Sequence, residues 1–592
     1  MQFSDYFYYP FLLGSLYLFA VVAWRFVKWF AGLSKIDKIR VRKGLLTKKT
    51  WDSIVESVRE GLLHFKMFRV NKLLGYMHMS LAFGWFLLIV VGHVETSLYY
   101  HSSFFPFHHS IFFRYYVTEP TDYVGHVFFE YAMEFLLLFV LSGVMLAYFK
   151  RFRSKSFGMK KTTRMRYGDH IALTALWLIF PLRFLCETFN AGIYGNGSPF
   201  FNGIGQFFAS FINLETFKNP LWFSYSLALG VFFVAMPYTR YMHIPAEINF
   251  IFLRNWGVKL KKRVNTYTMA EVYSCSRCGV CIDACQLNHA GIKNSQSVYV
   301  LKNIRNKNLT DEVLFNCLLC GKCQEVCPVG IDVNDLRITQ RIETTLQYNS
   351  SYDYLNLKES EAKKTDIVYF AGCMTHLTPA IKQSMLKILK LSGDNFWFMD
   401  ENKAPCCGRP LMLAGQFDAA QKLIDNNQKL ILASGAKTLV VSCPICYKVF
   451  KEDYMMPDVD VKMHTEYILN LVEKGRLKLK QSTQTAVYHD PCELGRGSGM
   501  YELPRELLKK SVTLKPMENE REKAYCCGGS LANMKISMDE RSVISEQAMR
   551  EFSTYKPDFV VTSCPLCKKT FAKTDILTVK DIAEVVVENL EI

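Results

Sequence analysis

The chain has 592 residues, half of them apolar, with a formal net charge of +17 and 19 cysteines. That length calls for several domains, and the apolar residues are concentrated in the first 250 or so, which excludes a uniformly soluble protein. The basic excess invites nucleic acid, but the lysines and arginines cluster beside apolar stretches, where they orient a membrane protein, so nucleic acid is set aside as a partner.

Five apolar stretches approach the roughly 20 residues a span needs. They centre on Phe11–Trp24, Leu73–Val94, Val124–Tyr148, Ile171–Cys186 and Leu221–Tyr241; the fourth is short and carries Arg183. The N-terminus lacks a basic start and a small-residue cleavage site, so it does not read as a removable signal peptide. The connecting segments alternate between basic (Arg25–Lys49 with Arg69–Lys72, Lys150–Arg166, Arg254–Arg263) and nearly free of Lys and Arg (Glu95–Tyr123, Glu187–Asn219). The positive-inside rule then puts the N-terminus outside and everything after the fifth span in the cytoplasm of a prokaryotic cell.

Histidines mark both ends of these spans, and ionisable groups at membrane depth point to function. His78 and His93 lie on the second span, about 22 Å apart along a helix. His126 opens the third span on the outer side, His170 the fourth on the inner side, and His243 closes the fifth on the inner side. Haem b needs two axial nitrogens from different helices at one depth. His78 with His243 meets that for an inner haem, His93 with His126 for an outer one, and His170 is the spare. His101, His108 and His109 read as surface residues. Glu130 and Glu134 share a helical face with His126, a row that suits either a proton path to a quinone or a polar helix contact.

The next segment reads SCSRCGVCIDAC and then NCLLCGKCQEVCP. Two C-x-x-C-x-x-C-x-x-x-C runs are the spacing of a ferredoxin with two [4Fe–4S] clusters. One loop wraps three irons and cannot fold back to the fourth, so each cluster takes its fourth thiolate from the other motif. Cys275, Cys278, Cys281 and Cys327 form one set; Cys317, Cys320, Cys323 and Cys285 form the other. A zinc pair, the alternative, needs no third cysteine at the same spacing. Pro328 follows the last cysteine of the second motif, whereas Gln286 stands at that place in the first.

Beyond a polar stretch to Lys364 the chain repeats itself at about 120 residues. Cys373, Cys406, Cys407, Cys443 and Cys446 are answered by Cys492, Cys526, Cys527, Cys564 and Cys567. Strand-like runs (Ile367–Phe370, Thr438–Val441, Ala486–Tyr488, Phe559–Val561) precede cysteines, and helical stretches such as Gln416–Ala433 and Ser542–Phe552 lie between them. This predicts a parallel α/β sheet in each copy, with the cysteines gathered at one sheet edge. Five thiolates exceed a cubane's need, and neighbouring cysteines suit an iron–sulfur centre better than zinc. His489 and Asp490, beside Cys492, read as support for the loop rather than as proton carriers.

The five-span half resembles the haem b subunit of respiratory nitrate reductase and its heterodisulfide reductase relatives. MPYTRYMHIPAEINF (Met236–Phe250) looks like the end of their last span, which supports His243 and, by pairing, His78; the outer pair departs from that pattern in spacing. The region from about Met269 onward resembles the CCG-bearing catalytic subunit of heterodisulfide reductase, through AGC at Cys373, PCCGRP at Cys406, CPIC at Cys443, HDPCELGR at Cys492, YCCGGS at Cys526 and CPLC at Cys564. The resemblance implies a non-cubane [4Fe–4S] cluster in each intact copy, with disulfide chemistry open to both. Relatives with this membrane–ferredoxin–CCG order imply an electron-transfer flavoprotein and menaquinone as partners.

The expected fold is an all-α five-helix transmembrane bundle (1–250), a small α-helical dicluster ferredoxin domain (251–345) and two α/β CCG repeats (366–475 and 484–592). The expected function is electron transfer between menaquinone and a cytoplasmic flavoprotein or thiol/disulfide couple. The cofactors would be one or two haem b, two cubanes and two CCG-ligated clusters. The alternatives are a heterodisulfide reductase-like thiol–disulfide oxidoreductase and a non-catalytic electron-transfer subunit of a larger complex.

Overall fold

The structure is a computed structural model that describes residues 6–119, 123–159, 165–258, 265–344, 361–402, 406–531 and 535–591. Residues 345–360 of the polar stretch to Lys364, part of the basic Lys150–Arg166 segment and Pro405 of the PCCGRP motif lie outside these residues. The chain forms two compact units. One comprises Met1–Leu260, Asn265–Asp283 and Val326–Ile331, and the other the remainder.

Five helices of the first unit are long and apolar enough to cross a membrane: Tyr9–Ala31, Lys72–Tyr99, His126–Phe152, Tyr167–Tyr194 and Leu214–Tyr238, the last ending in a 3₁₀ turn. They match the five expected spans; the first, second and fourth run beyond both ends of the expected stretch, while the third starts two residues later, at His126, and the fifth ends three residues earlier, at Tyr238. The fourth gains most. Arg183 interrupts its hydropathy, yet it pairs with Glu187 one turn on at 2.7 Å, both buried, and so enters the bundle as a neutralised pair. The first and fifth spans cross backbone to backbone. A Cβ on Gly14 would lie 2.7 Å from Gly230 Cα, so two glycines permit the approach where larger side chains would hold the helices apart.

The second unit carries two four-stranded parallel sheets. In the first the order is β2-β1-β3-β4, with β1 Ile367–Phe370, β2 Phe396–Phe398, β3 Thr438–Val441 and β4 Asp460–Met463. In the second it is β6-β5-β7-β8, with β5 Thr485–His489, β6 Thr513–Leu514, β7 Phe559–Thr562 and β8 Val579–Asp581. Of the central strands, β1 and β7 are buried along their whole length and β3 and β5 from their second residue on, as expected for strands covered on both faces. They are the four the sequence announces. The edge strands are two to four residues long and were not announced, because so short a run carries no period.

The repeat shows in side-chain detail. Tyr369 Oη pairs with Ser442 Oγ at 2.9 Å in one copy, and Tyr488 Oη donates to Ser563 Oγ at 3.1 Å in the other. One apolar core, with Tyr369, Val440, Tyr488, Val561 and Val586, runs through both copies, so they fold against each other.

Candidate iron–sulfur and histidine sites

Each ferredoxin motif bends the same way. Arg277 and Leu319, just before the second cysteine of their motifs, are left-handed (φ 57° and 54°), and Gly279 and Gly321, just after it, have φ 95° and 74°. Such a run curls a short loop around a centre and is costly for Arg and Leu unless the fold over-determines it. The two motifs then exchange their last cysteines. The charges facing Cys285 are those of Cys320, Cys323 and Cys317, and those facing Cys327 include Cys278 and Cys275. Burial pushes the Cys285, Cys323 and Cys327 thiols upward, the latter two to about 12. Bound iron would supply the positive charge that deprotonates them.

The first motif is pinned to the bundle by Arg277. Its Nη1 lies 3.0 Å from Asp169 Oδ2 at the start of the fourth span, and Asp169 Oδ1 also accepts the Arg240 backbone N–H at 2.8 Å. Cys278, Val280 and Val326 share an apolar cluster with Leu74, Met77 and Ala147, so this motif rests on the start of the second span and the end of the third.

His78 lies in that same region. The charges that reach its ring belong to His64, Lys150, His243 and Arg240. His243 Nδ1 faces Arg240 O at 2.8 Å, a contact that orients its ring. His64 was not anticipated. Its ring stacks on His78 with centroids 5.3 Å apart. It stands in a left-handed turn (φ 56°) ahead of the second span, and nothing in the sequence marks that turn. His170 is exposed.

At the opposite end of these two spans, no ring contact joins His93 to His126 among the described residues. His93 lies against Phe105 at 4.8 Å, and His126 Nδ1 faces Tyr123 O at 3.0 Å. Glu134 accepts the Ser198 backbone N–H at 2.9 Å and the Ser198 hydroxyl, and so anchors the Pro199–Ala209 helix. His108 and His109 are half-buried, stacked on Tyr8 and Tyr116, rather than lying at the surface.

In each CCG copy the cysteines follow the two central strands, at the sheet edge where ligands gather. Cys443 and Cys564 each cap a helix whose first residue is proline, Pro444 and Pro565, with Cys446 and Cys567 in its first turn. Thiolates there lie at the positive end of the helix. Gly372 (φ 82°) passes over the site; a Cβ on it would come within 3.0 Å of Cys446 Sγ. Cys407 bonds with Cys406 and Cys446, and Cys373 faces Cys443 and Cys407. In the second copy the Cys567 thiol lies within hydrogen-bonding reach of Cys527 and Cys564, and Cys526 within reach of Cys527 and Cys492. All five cysteines of each copy therefore converge. The described residues hold no group of three or more His, Cys, Asp or Glu side chains suited to one metal ion, so the centre each set serves is argued from the shared thiols.

The sets are also joined. The free thiols of Cys443 in the first copy and Cys564 in the second lie within hydrogen-bonding reach, as do those of Cys526 in the second copy and Cys320 of the ferredoxin. Beside Cys320 and Cys492 opens a polar cleft of about 70 Å³, lined also by Arg409, Lys448, Glu493 and Arg496, with room for a few waters.

His489 and Asp490 separate into different tasks. Asp490 takes a two-pronged bond from Arg505 (2.6 and 2.7 Å) and the Arg521 backbone N–H (2.7 Å), all buried or nearly so. Asp490→Ala leaves the Arg505 cation buried without its main partner, so a loss of about 3–5 kcal/mol of stability is expected by chemical denaturation. His489 packs on Phe571 at 4.8 Å, and burial holds it at about 4, so it stays neutral beside Cys527.

Comparisons with known proteins agree with this geometry. A family model described as a cysteine-rich domain (CCG) matches residues 367–451 and 486–572, and one described as a 4Fe–4S dicluster domain matches 271–331. The chain is 27% identical to one of the subunits of the dihydromethanophenazine:CoB–CoM heterodisulfide reductase of Methanosarcina barkeri, over 56% of this chain and 96% of that one. It is 22% identical to EtfAB:quinone oxidoreductase of Syntrophomonas wolfei, over 88% of each chain. It is 24% identical to one of the subunits of the fumarate reductase (CoM/CoB) of Methanothermobacter marburgensis, over 53% of this chain and 70% of that one. The chain thus carries a dicluster [4Fe–4S] domain followed by two CCG domains.

Proposed function

We propose that this iron–sulfur oxidoreductase, of the heterodisulfide reductase and EtfAB:quinone oxidoreductase type, passes electrons between a cytoplasmic electron-transfer flavoprotein and menaquinone in a prokaryotic cytoplasmic membrane. The observation that carries this reading is the joining of thiol sets across the second unit, Cys320 to Cys526 and Cys564 to Cys443. In the first unit, the Cys275–Cys278 loop and His78 share the inner end of the bundle. The likeness over 88% of both chains to a quinone oxidoreductase, membrane half included, favours menaquinone and a flavoprotein.

In this reading His78 and His243 hold an inner haem b, and His93 and His126 an outer one. Bound haem and [4Fe–4S] clusters supply one-electron transfer. The chain's own residues do the rest. Arg240 O orients His243, Asp169 ties Arg277 and hence the first cysteine loop to the fourth span, and apolar packing keeps water from the thiols. Five converging thiols in both copies favour a second reading, reduction of a disulfide at a CCG centre.

The test is optical spectroscopy of the detergent-solubilised chain, with iron and haem quantified before and after a menaquinol analogue. Haem b bands that become reduced on addition are expected. A preparation with full iron and no haem would overturn the His78–His243 assignment and leave the membrane half an anchor.

A further inference from the structure

The first ferredoxin motif departs from the usual pattern at Gln286, which replaces the proline after its last cysteine. The structure gives that glutamine a partner. Its side-chain amide grips the backbone of Cys526: the Cys526 N–H donates to Gln286 Oε1 at 2.6 Å, and Gln286 Nε2 donates to Cys526 O at 3.4 Å. Proline offers neither group. Gln286 Nε2 also reaches Gln547 Oε1 at 3.4 Å.

A second side chain crosses the same boundary in the opposite direction. Arg496, four residues after Cys492, donates from Nε to Cys320 O at 2.7 Å and from Nη1 to Ala524 O at 2.9 Å and Glu522 O at 3.1 Å. Its Nη2 is buried and has no hydrogen-bond partner in the protein. The sulfurs whose charge reaches this guanidinium are those of Cys320, Cys492 and Cys526. A buried donor without a partner is costly, and a bound cluster offers sulfur acceptors among those cysteines. Apolar packing of Leu287, Leu318 and Cys526, and Lys322 Nζ over the Tyr525 ring at 4.1 Å, complete the seam.

The first copy meets the ferredoxin region away from its own cysteines: Arg341 Nη1 donates to Leu413 O at 2.6 Å, and Leu319 packs on Leu413. The residue four positions after Cys373 is Leu377, and it is 58% exposed. Cys406, which stands where Cys526 stands, bonds with Cys407 of its own set.

We propose that Gln286 and Arg496 are positioning residues that clamp the iron–sulfur centre of Cys285, Cys317, Cys320 and Cys323 against that of the second CCG copy, making the second copy the port for electrons between ferredoxin and CCG domains. The proposal rests on the cluster reading above. In the step itself one electron leaves the reduced centre and enters the oxidised one, and no bond is made or broken. A fixed guanidinium favours the more negative, reduced state of both centres, so it holds their potentials up.

The experiment is redox titration followed by electron paramagnetic resonance on the full-length protein, with iron quantified and freeze-quenched reoxidation timed. Arg496→Leu, with full iron, is expected to lower the midpoint potentials of the clamped cubane and the second-copy centre and to slow transfer between them about 10- to 100-fold, as for loss of an outer-shell partner. Arg496→Lys should keep the potentials near the parent, because the charge stays. Gln286→Pro should slow transfer and leave the potentials in place. Unchanged potentials and transfer in Arg496→Leu overturn the proposal. Should that variant lose iron, parent-like transfer in Gln286→Pro overturns it instead, and slowed transfer there supports it. A parent protein without iron would overturn the cluster reading itself, which is a different result.

Discussion

Cys526→Ala is expected to strand the first CCG copy, whereas Cys406→Ala is expected to remove only that copy's own centre. Both lose a thiol from a convergent set of five, and each should lose the four irons of one cluster. The difference comes from the order of contacts. The Cys526 thiol lies within hydrogen-bonding reach of Cys320, and Cys564 of the same copy within reach of Cys443, so the chain of neighbouring thiols runs from the ferredoxin through the second copy to the first, while the direct ferredoxin contact with the first copy, Arg341 on Leu413 O, is made outside its cysteine set. The check is an anaerobic protein reduced with dithionite and then mixed with a quinone analogue. In the parent every centre reoxidises. In Cys406→Ala the two cubanes and the second-copy centre should reoxidise at the parental rate. In Cys526→Ala the first-copy centre should remain reduced, with reoxidation slowed by about 100-fold or more. Parental reoxidation of the first copy in Cys526→Ala would mean a separate route, and the serial order would be wrong.

Most of this arrangement was legible because cysteine spacing is a geometric instruction. Three thiols on one short loop fix the grouping before any fold is known, and the exchange of Cys285 and Cys327 follows from loop length. The repeat of about 120 residues likewise gave two sheets, and the central strands announced themselves as unbroken apolar runs. What stayed hidden depends on partners distant in sequence. Gln286 looked like a defect in a motif, and its reason is a backbone 240 residues away. Arg183 looked like a flaw in a span, and Glu187 removes the flaw only if both are helical. Asp169, which accepts bonds from Arg240 and Arg277, had no signature. His64 was invisible because a single left-handed residue turns its ring onto His78, and single-residue conformations leave no period.

His78→Ala is expected to abolish the inner haem and with it nearly all quinone-linked activity, a fall of about 100-fold or more, while iron content is unchanged. The separation is expected because the His78 ring is on a span and the cysteine sets are not. His243→Ala should do the same. His64→Ala discriminates: its Nδ1 faces Leu62 O at 3.1 Å, and its ring stacks beside His78, not opposite it. An axial pair must approach one iron from opposite faces, so His64→Ala should keep haem and alter its spectrum or potential. Haem and iron per chain, the reduced-minus-oxidised spectrum and quinone reductase activity measure all three variants. Retention of haem in His78→Ala together with its loss in His64→Ala would move the inner ligand from the span to the turn before it. Electrons would then leave the bundle beside that turn rather than under the Cys278 loop, and the role of Arg277 in joining the two would have to be given up.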